Sequence, residues 1–453
     1  MTRSFRNPAR CSFRAAATAR SRSSRGRAVA VAGFVAAALL VAACSGGTGA
    51  PGSSTAPINK GEPIRGQRIT VLLPSFAQIP KPLLADFTRQ TGVDVTLNSA
   101  SFDSLHQQLV TSFVAGNTIA DVSEVDWSWV GQFGHAGWYT PLENELPSAL
   151  LSDMQLAPFR SNGHLYAVPY SNDFRMAAYN TDAFRKAGIA APPQTFDELS
   201  ADMVKLQRAD PRVFPLTLPL SAGEGTATQW YLLTLAMGGQ VFDDKLQPAF
   251  GPGTAGEKAL QFEVDAVARG WISRGAVSNT NQTSDARFTG GVAAYIFGGP
   301  DELVVADDPT SSQIVGKAQL ALVPGVSGPG ATFGLPEGIG IPAGSKHKAA
   351  ALAFVQWMTS PGVVTQLRDN LGVLPARISV LRQLTAAGKL KGGPVIQAEI
   401  PHIVPLFPQG APAWYPKFSN EAGALINSAA KGDISVAEAL KRMAATARRL
   451  SGT

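Results

Sequence analysis

From Arg68 onward the apolar residues fall into short runs and stripes of two different periods. Arg68-Ile-Thr-Val-Leu-Leu73 is an apolar run of strand length. Leu83, Leu84 and Phe87 then share one face at helical spacing within residues 82–90, and Thr91-Gly92 ends that helix. Val93, Val95 and Leu97 alternate with polar residues, so the folded chain opens as β-α-β. Residues 105–114 predict a helix and 120–125 a strand, whose end delivers Asp126, Trp127 and Trp129 into a loop. In open α/β sheets ligands bind beyond the carboxyl ends of strands.

Farther on, Pro192-Pro193 stops one segment, and Thr195-Phe-Asp-Glu198 has the spacing of a capping box, in which Thr and Glu satisfy free amides of a first helical turn. Ser435-Val-Ala-Glu438 repeats that signature and opens a final helix with Val436, Leu440 and Met443 inward. Ala350, Phe354, Trp357 and Met358 form a further apolar stripe, read as core. No internal repeat and no second membrane span is evident. The pattern predicts an α/β protein of about two lobes, each a sheet flanked by helices.

The length of 453 residues allows two or three domains, and 45% hydrophobic with 16% charged residues is a globular composition. A net charge of +6 suggests a polyanion partner until its origin is traced. Eight arginines stand within the first 27 residues with no acidic neighbour, and without them the balance is −2. No nucleic-acid partner is therefore expected. The uncharged run 28–43 has 16 residues, short of the roughly 20 a membrane span needs but suited to a secretory signal. It ends in Val41-Ala-Ala-Cys44, which resembles the lipobox of bacterial lipoproteins. Residues 1–43 thus read as a signal peptide, Cys44 as a lipidated residue, and 44–66, rich in Gly, Ser, Thr and Pro, as a flexible tether. Cys11 is the only other cysteine, so neither a disulfide nor a cysteine metal site is expected.

Several segments, in order, resemble the extracellular solute-binding proteins of bacterial ATP-driven importers, in particular the sugar binders that include the maltose- and trehalose-binding proteins. These are Ala115-Gly-Asn-Thr-Ile-Ala-Asp121, where Ala120 replaces the family's usual Pro, Gly134-His-Ala-Gly-Trp-Tyr-Thr-Pro-Leu142, and Gly163-His-Leu-Tyr-Ala-Val-Pro169 followed by Tyr179-Asn180. Pro192-Pro-Gln-Thr-Phe-Asp-Glu-Leu199, Phe288-Thr-Gly-Gly-Val-Ala-Ala294, Ile341-Pro-Ala-Gly-Ser-Lys346 and Gly372-Val-Leu-Pro-Ala-Arg377 continue the series. The resemblance implies a two-lobed type II periplasmic-binding-protein-like fold. Its lobes would be 67–170 with 335–372 and 171–334 with 373–453, joined by crossings near Tyr170–Phe174, Thr332–Gly334 and Gly362–Leu374. It also implies hinge closure on a carbohydrate (a mono- or disaccharide or an amino sugar), delivery to the permease subunits of an importer with a separate ATPase, and a monomer anchored to the outer face of the cytoplasmic membrane.

A sugar presents an apolar face and a rim of hydroxyls, so its binder needs aromatic platforms with carboxylates and amides around them. Asp126, Trp127 and Trp129 resemble a segment of trehalose-type binders; Asp126 is ligand-facing or a helix cap, and Trp129 a platform or core. Asn172 and Asp173 lie at the first crossing, where Asp173 either reads ligand or merely pairs with Arg175. Glu224, ahead of Trp230, resembles a Gly-Glu-Gly segment of the same proteins, with a solvated loop as the alternative. Trp414-Tyr415 stands where maltose-type proteins carry a stacking Trp. Asp301, in Gly298-Gly-Pro-Asp301-Glu302, replaces the family's aromatic platform and suggests a cationic or smaller sugar, unless it is a helix cap.

Other chemistries are weaker. Gly251-Pro-Gly-Thr-Ala-Gly256 fits GxGxxG but follows a turn rather than a first strand, no GxxxxGK[ST] occurs, and the five histidines lack metal-binding spacing. No cofactor and no metal are expected, and the chain is not read as an enzyme. The alternatives kept are a binder of glycerophosphodiesters or another polar solute, with Arg175 as the one phosphate-binding candidate, and a lipid-anchored glycoside hydrolase using Asp126 and Asp173.

Overall fold

The computed structural model describes residues 57–407 and 410–452. The run from Arg68 to Pro74 is a strand whose last four side chains are all buried, and it pairs in parallel with Asp94–Ala100 on one side and Val122–Asp126 on the other. Between the first two strands lies the helix Lys81–Thr91, burying Leu83 and Phe87 and ending on Gly92 in the left-handed region, as the spacing predicts. The sheet continues with Glu337–Gly340 and then Val168–Ser171, both pairings antiparallel, in the order 94–100, 68–74, 122–126, 337–340, 168–171. A strand from late in the chain thus sits inside a sheet otherwise built from its first part. Gly338 is required there: a Cβ would stand 2.6 Å from the Phe159 ring.

Residues 172–175 pass from Val168–Ser171 to Met176–Asn180, the central strand of a second sheet, flanked antiparallel by Tyr295–Gly298 and Ala318–Ala321. Phe174 bridges to Gly334 and Ser171 to Pro375, so three passing segments lie side by side. Against the second sheet pack the helices Phe196–Ala209, Glu224–Ala236, Ala255–Ala268 and Tyr415–Lys431, around a large apolar cluster that includes Trp230, Tyr231 and Phe418. The first sheet has its own cluster, to which Phe354, Trp357 and Met358 of Lys348–Met358 contribute.

Two expectations need correction. At Thr195 the capping box is complete, but at Ser435 it is half formed: Ser435 Oγ accepts from Glu438 N at 3.2 Å, while the Glu438 carboxylate turns to Arg442 Nε at 2.6 Å. An exposed arginine one turn on competes with the backbone amide. The expected tether is also too long at its end, since Ile58 is buried and its N–H donates to Glu145 Oε1 at 3.2 Å, with Lys60 paired to the same carboxylate. Cys44 and the signal segment lie outside the described residues.

Candidate functional site

A cavity of about 280 Å³ is lined from both sheets, from the passing segment at Asp173 and Arg175, and from the helix starts at Phe102, Glu224 and Asn281. It lies where the strand Val122–Asp126 ends. Asp103 and Gly223, both lining residues, meet at its border, a Cβ on Gly223 standing 3.7 Å from Asp103 Oδ2.

On the side of the five-stranded sheet, Asp126 lines the cavity and is not a helix cap: the next helix, Val130–His135, has Trp129 in the cap position with no side-chain cap, and Asp126 instead closes a local turn on Ser128. Its Oδ1 accepts from Ser128 N at 2.8 Å and from the Ser128 hydroxyl, and the residue also borders the cavity. Burial pushes its carboxyl up to about 7 despite those hydrogen bonds. Glu337 enters beside it from the inserted strand. Tyr170 Oη lies 2.8 Å from Glu337 Oε2 and 2.9 Å from Glu124 Oε2. Burial first, and then nearby carboxylate charge, that of Asp126 for Glu124 and that of Glu124 for Glu337, hold both glutamates well above the ordinary carboxylate range.

On the opposite side the loop Gly298-Gly-Pro-Asp301-Glu302 works through its glycines. A Cβ on Gly298 would stand 2.2 Å from Glu302 Oε1, and one on Gly299 2.2 Å from Asp301 Oδ1 and 2.8 Å from Asp173 Oδ1. The bare backbone makes room for three carboxyls. Asp301 occupies the cap position of the helix Glu302–Ala306 but makes no capping hydrogen bond, so its side chain is left to the cavity. Asp285, from the helix Asn281–Thr289, hydrogen-bonds Glu302. Burial raises Asp173 and Asp285 to about 7 each; Asp301 adds to both shifts and Arg175 opposes them. Asp173 and Arg175 both line the cavity and form no ion pair with each other, so the surface-bridge alternative does not hold.

Glu224 opens the helix Glu224–Ala236 and accepts from Tyr415 Oη at 2.8 Å; burial raises it to about 7. Tyr415 is fully buried and positions that carboxyl rather than lining the cavity. Trp127 lines the cavity while its ring packs 5.3 Å from the Tyr415 ring and edge-on to Phe333. The remaining expected platforms lie elsewhere. Trp129 is buried 4.8 Å from both Phe102 and His106; Trp230 is in the helical core, donating to Gly256 O at 2.9 Å; Trp414 packs edge-on to Phe242 and Phe418. Each is taken by aromatic neighbours that its local sequence does not show. Asn172 turns from the cavity, its Nδ2 donating to Pro375 O and Ala376 O at 3.4 Å each.

Sequence reasoning did not single out Asp285, Glu302, Glu337, Gln229 and Asn281, all of which line the cavity. Glu337 carries a usable signal, a lone carboxylate in an otherwise apolar strand, which is costly to bury without a role. Asp285 carries none, because it is one polar residue among several in a helix whose sequence is mostly polar.

A family match to the bacterial extracellular solute-binding proteins spans residues 71–365. The chain belongs to that family. Among relatives of this solute-binding protein, a probable amino-acid ABC transporter periplasmic-binding protein of Sinorhizobium fredii is 26% identical over 359 residues, 76% of this chain and 80% of that one. The mannitol-binding protein of Pseudomonas aeruginosa is 29% identical over 276 residues, 59% of this chain and 63% of that one. The fold matches, with a TM-score of 0.78 and 24% identity, the crystal structure of an ABC transporter solute-binding protein of Thermotoga lettingae bound with alpha-D-tagatose, covering 85% of this chain and all of that one. The solute-binding protein accordingly has a type II periplasmic-binding-protein-like fold. No helix among the described residues is long and apolar enough to cross a membrane.

Proposed function

We propose that this solute-binding protein captures a sugar or polyol in the cavity between its two sheets and hands it to the permease of an ATP-driven importer, without chemical conversion. The observation that carries this reading is the lining itself: carboxyls at Asp126, Glu224 and Asp301, amides at Gln229 and Asn281, and the Trp127 ring. Acceptors, donors and one flat apolar face are what a polyhydroxylated ring or chain requires. The named mannitol and tagatose ligands of similar proteins support it. A glycerophosphodiester fits poorly, because its anionic phosphate would face this many carboxyls with Arg175 as the basic side chain to offset them.

In this reading the moving bodies are residues 67–170 with 335–372 and 171–334 with 373–453, and ligand contacts to both favour the closed state. Residues 1–43 target the chain for export, and the diacylated Cys44 holds it at the outer face of the cytoplasmic membrane, where two acyl chains give stable anchoring. The test is a thermal-shift screen of sugars and polyols on the full chain in mild detergent, followed by small-angle scattering with the ligand that raises the melting temperature. A smaller radius of gyration with ligand is expected. A panel with no stabilising member would overturn the assignment.

A further inference from the structure

Eight acidic side chains line the cavity, and among the described residues the one basic side chain that joins them is Arg175. Asp103, Asp126 and Glu337 come from the five-stranded side; Asp173, Glu224, Asp285, Asp301 and Glu302 from the other. The second group is crowded. The positions of Asp173 Oδ1 and Asp301 Oδ1 around Gly299 place those oxygens within about 5 Å of each other, a range in which like charges resist joint ionisation. Asp285 and Glu302 are hydrogen-bonded alongside. Arg368 lies behind Asp301, buried, with its Nη1 committed to Gly372 O at 2.7 Å. Two guanidiniums therefore face four carboxyls.

Independent of the charge count, two lining side chains more than nine-tenths buried carry polar atoms without a partner: Glu302 Oε2 and Gln229 Nε2. An unpaired buried acceptor and donor cost stability unless a ligand completes them. A neutral sugar would satisfy hydrogen bonds here but would also strip water from carboxyls that have no countercharge. A cationic one offsets that loss.

We propose that the ligand is a sugar or polyol carrying a protonated amine, with the ammonium seated among Asp173, Asp285, Asp301 and Glu302. This rests on the reading of the cavity as a sugar site and specifies its chemical class. The ammonium supplies three donors and one positive charge to a corner where carboxyls outnumber guanidiniums, while the hydroxyls are left for Asp126, Glu224 and the amides.

The experiment is calorimetric titration of the full chain in mild detergent, at neutral pH and low salt, with matched pairs: D-glucosamine and D-glucose, D-galactosamine and D-galactose, D-mannosamine and D-mannose, D-glucamine and D-sorbitol. At least one amine is expected to bind about thirtyfold more tightly than its hydroxyl counterpart, the scale of a charge-assisted contact in a desolvated site. Asp285→Asn and Asp301→Asn, each checked for cooperative melting, should each reduce the amine's affinity at least about tenfold more than the counterpart's. Equal affinities within every binding pair would overturn the cationic ligand and leave the sugar assignment intact. No binding by any member overturns both. Calcium or magnesium chloride binding where the amines are silent would assign the charge deficit to an inorganic cation and also overturn the proposal.

Discussion

Tyr170 Oη lies 2.8 Å from Glu337 Oε2 and 2.9 Å from Glu124 Oε2. A phenol has one proton, so it can donate to only one of these oxygens, and the second contact needs a carboxyl that keeps its own proton. The raised affinity of both glutamates for protons meets that need. Replacing Tyr170 with Phe removes the shared hydroxyl and leaves a buried carboxyl oxygen without a partner. A loss of about 1–3 kcal/mol of stability is expected, read from urea denaturation midpoints at constant slope.

The empty protein should lose stability as pH rises. Asp126, Asp173, Glu224 and Asp285 hold protons up to about 7, chiefly through burial. In the unfolded chain such groups titrate near about 4. Between those limits the folded state binds more protons than the unfolded one, so stability declines from about pH 4 to 7. His106, whose pKa burial lowers, acts in the opposite sense and is outnumbered. Melting temperatures of ligand-free protein should be higher at pH 5 than at pH 8; the reverse order would show that these carboxyls ionise at ordinary values.

Two tryptophans separate packing from recognition. Trp414 is half-buried against Phe242 and Phe418, away from the cavity, so Trp414→Ala should cost about 2–3 kcal/mol of stability with ligand affinity changed less than about threefold. Trp127→Ala should cost stability too, but also weaken binding about thirtyfold, because its ring borders the cavity. Paired melting and calorimetry on both variants decide this, and a larger affinity loss at Trp414 would contradict the placement.

Gly299→Ala tests the carboxyl corner sterically. Gly299 is outside the left-handed region, so alanine suits its backbone, yet its methyl would stand 2.2 Å from Asp301 Oδ1. The carboxyls of Asp301 and Asp173 must move apart. Ligand affinity should fall at least about tenfold with the far-ultraviolet circular dichroism unchanged. Retained affinity would remove Asp301 from the site.

Cys44→Ser should leave an unprocessed or mislocalised precursor that takes up no fatty acid, measured by metabolic labelling and by fractionation. Normal processing and anchoring would locate the anchor elsewhere.

Local features were legible where one element decides them. The helix expected at 82–90, the strand ends expected at 73 and 125, and the Thr195 cap depend on neighbours within a few residues, and the structure places each within one residue of the expected position. Asp126, Trp127, Asp173, Glu224 and Asp301 were marked by position, at a strand end, a passing segment or a Gly-rich turn, and the structure brings them to one cavity. Trp129, Trp230 and Trp414 mislead for a common reason: an indole suits a platform and a core equally, and the choice rests on rings outside its local sequence, in one case more than 100 residues away. Phe242 against Trp414 is such a pair. The Asp285–Glu302 contact likewise depends on how the helices Asn281–Thr289 and Glu302–Ala306 meet.

The strand Glu337–Gly340 lies between Val122–Asp126 and Val168–Ser171, which the chain lays down far earlier. Until residue 340 has emerged, those two strands face an empty slot with unpaired backbone groups on both rims. The first lobe cannot close its sheet before that point, and a nascent chain that stops short of residue 337 has no native partner for the facing edges of those two strands. Delayed closure keeps the polypeptide threadable through a narrow pore. It also makes any early truncation an adhesive fragment rather than a smaller protein.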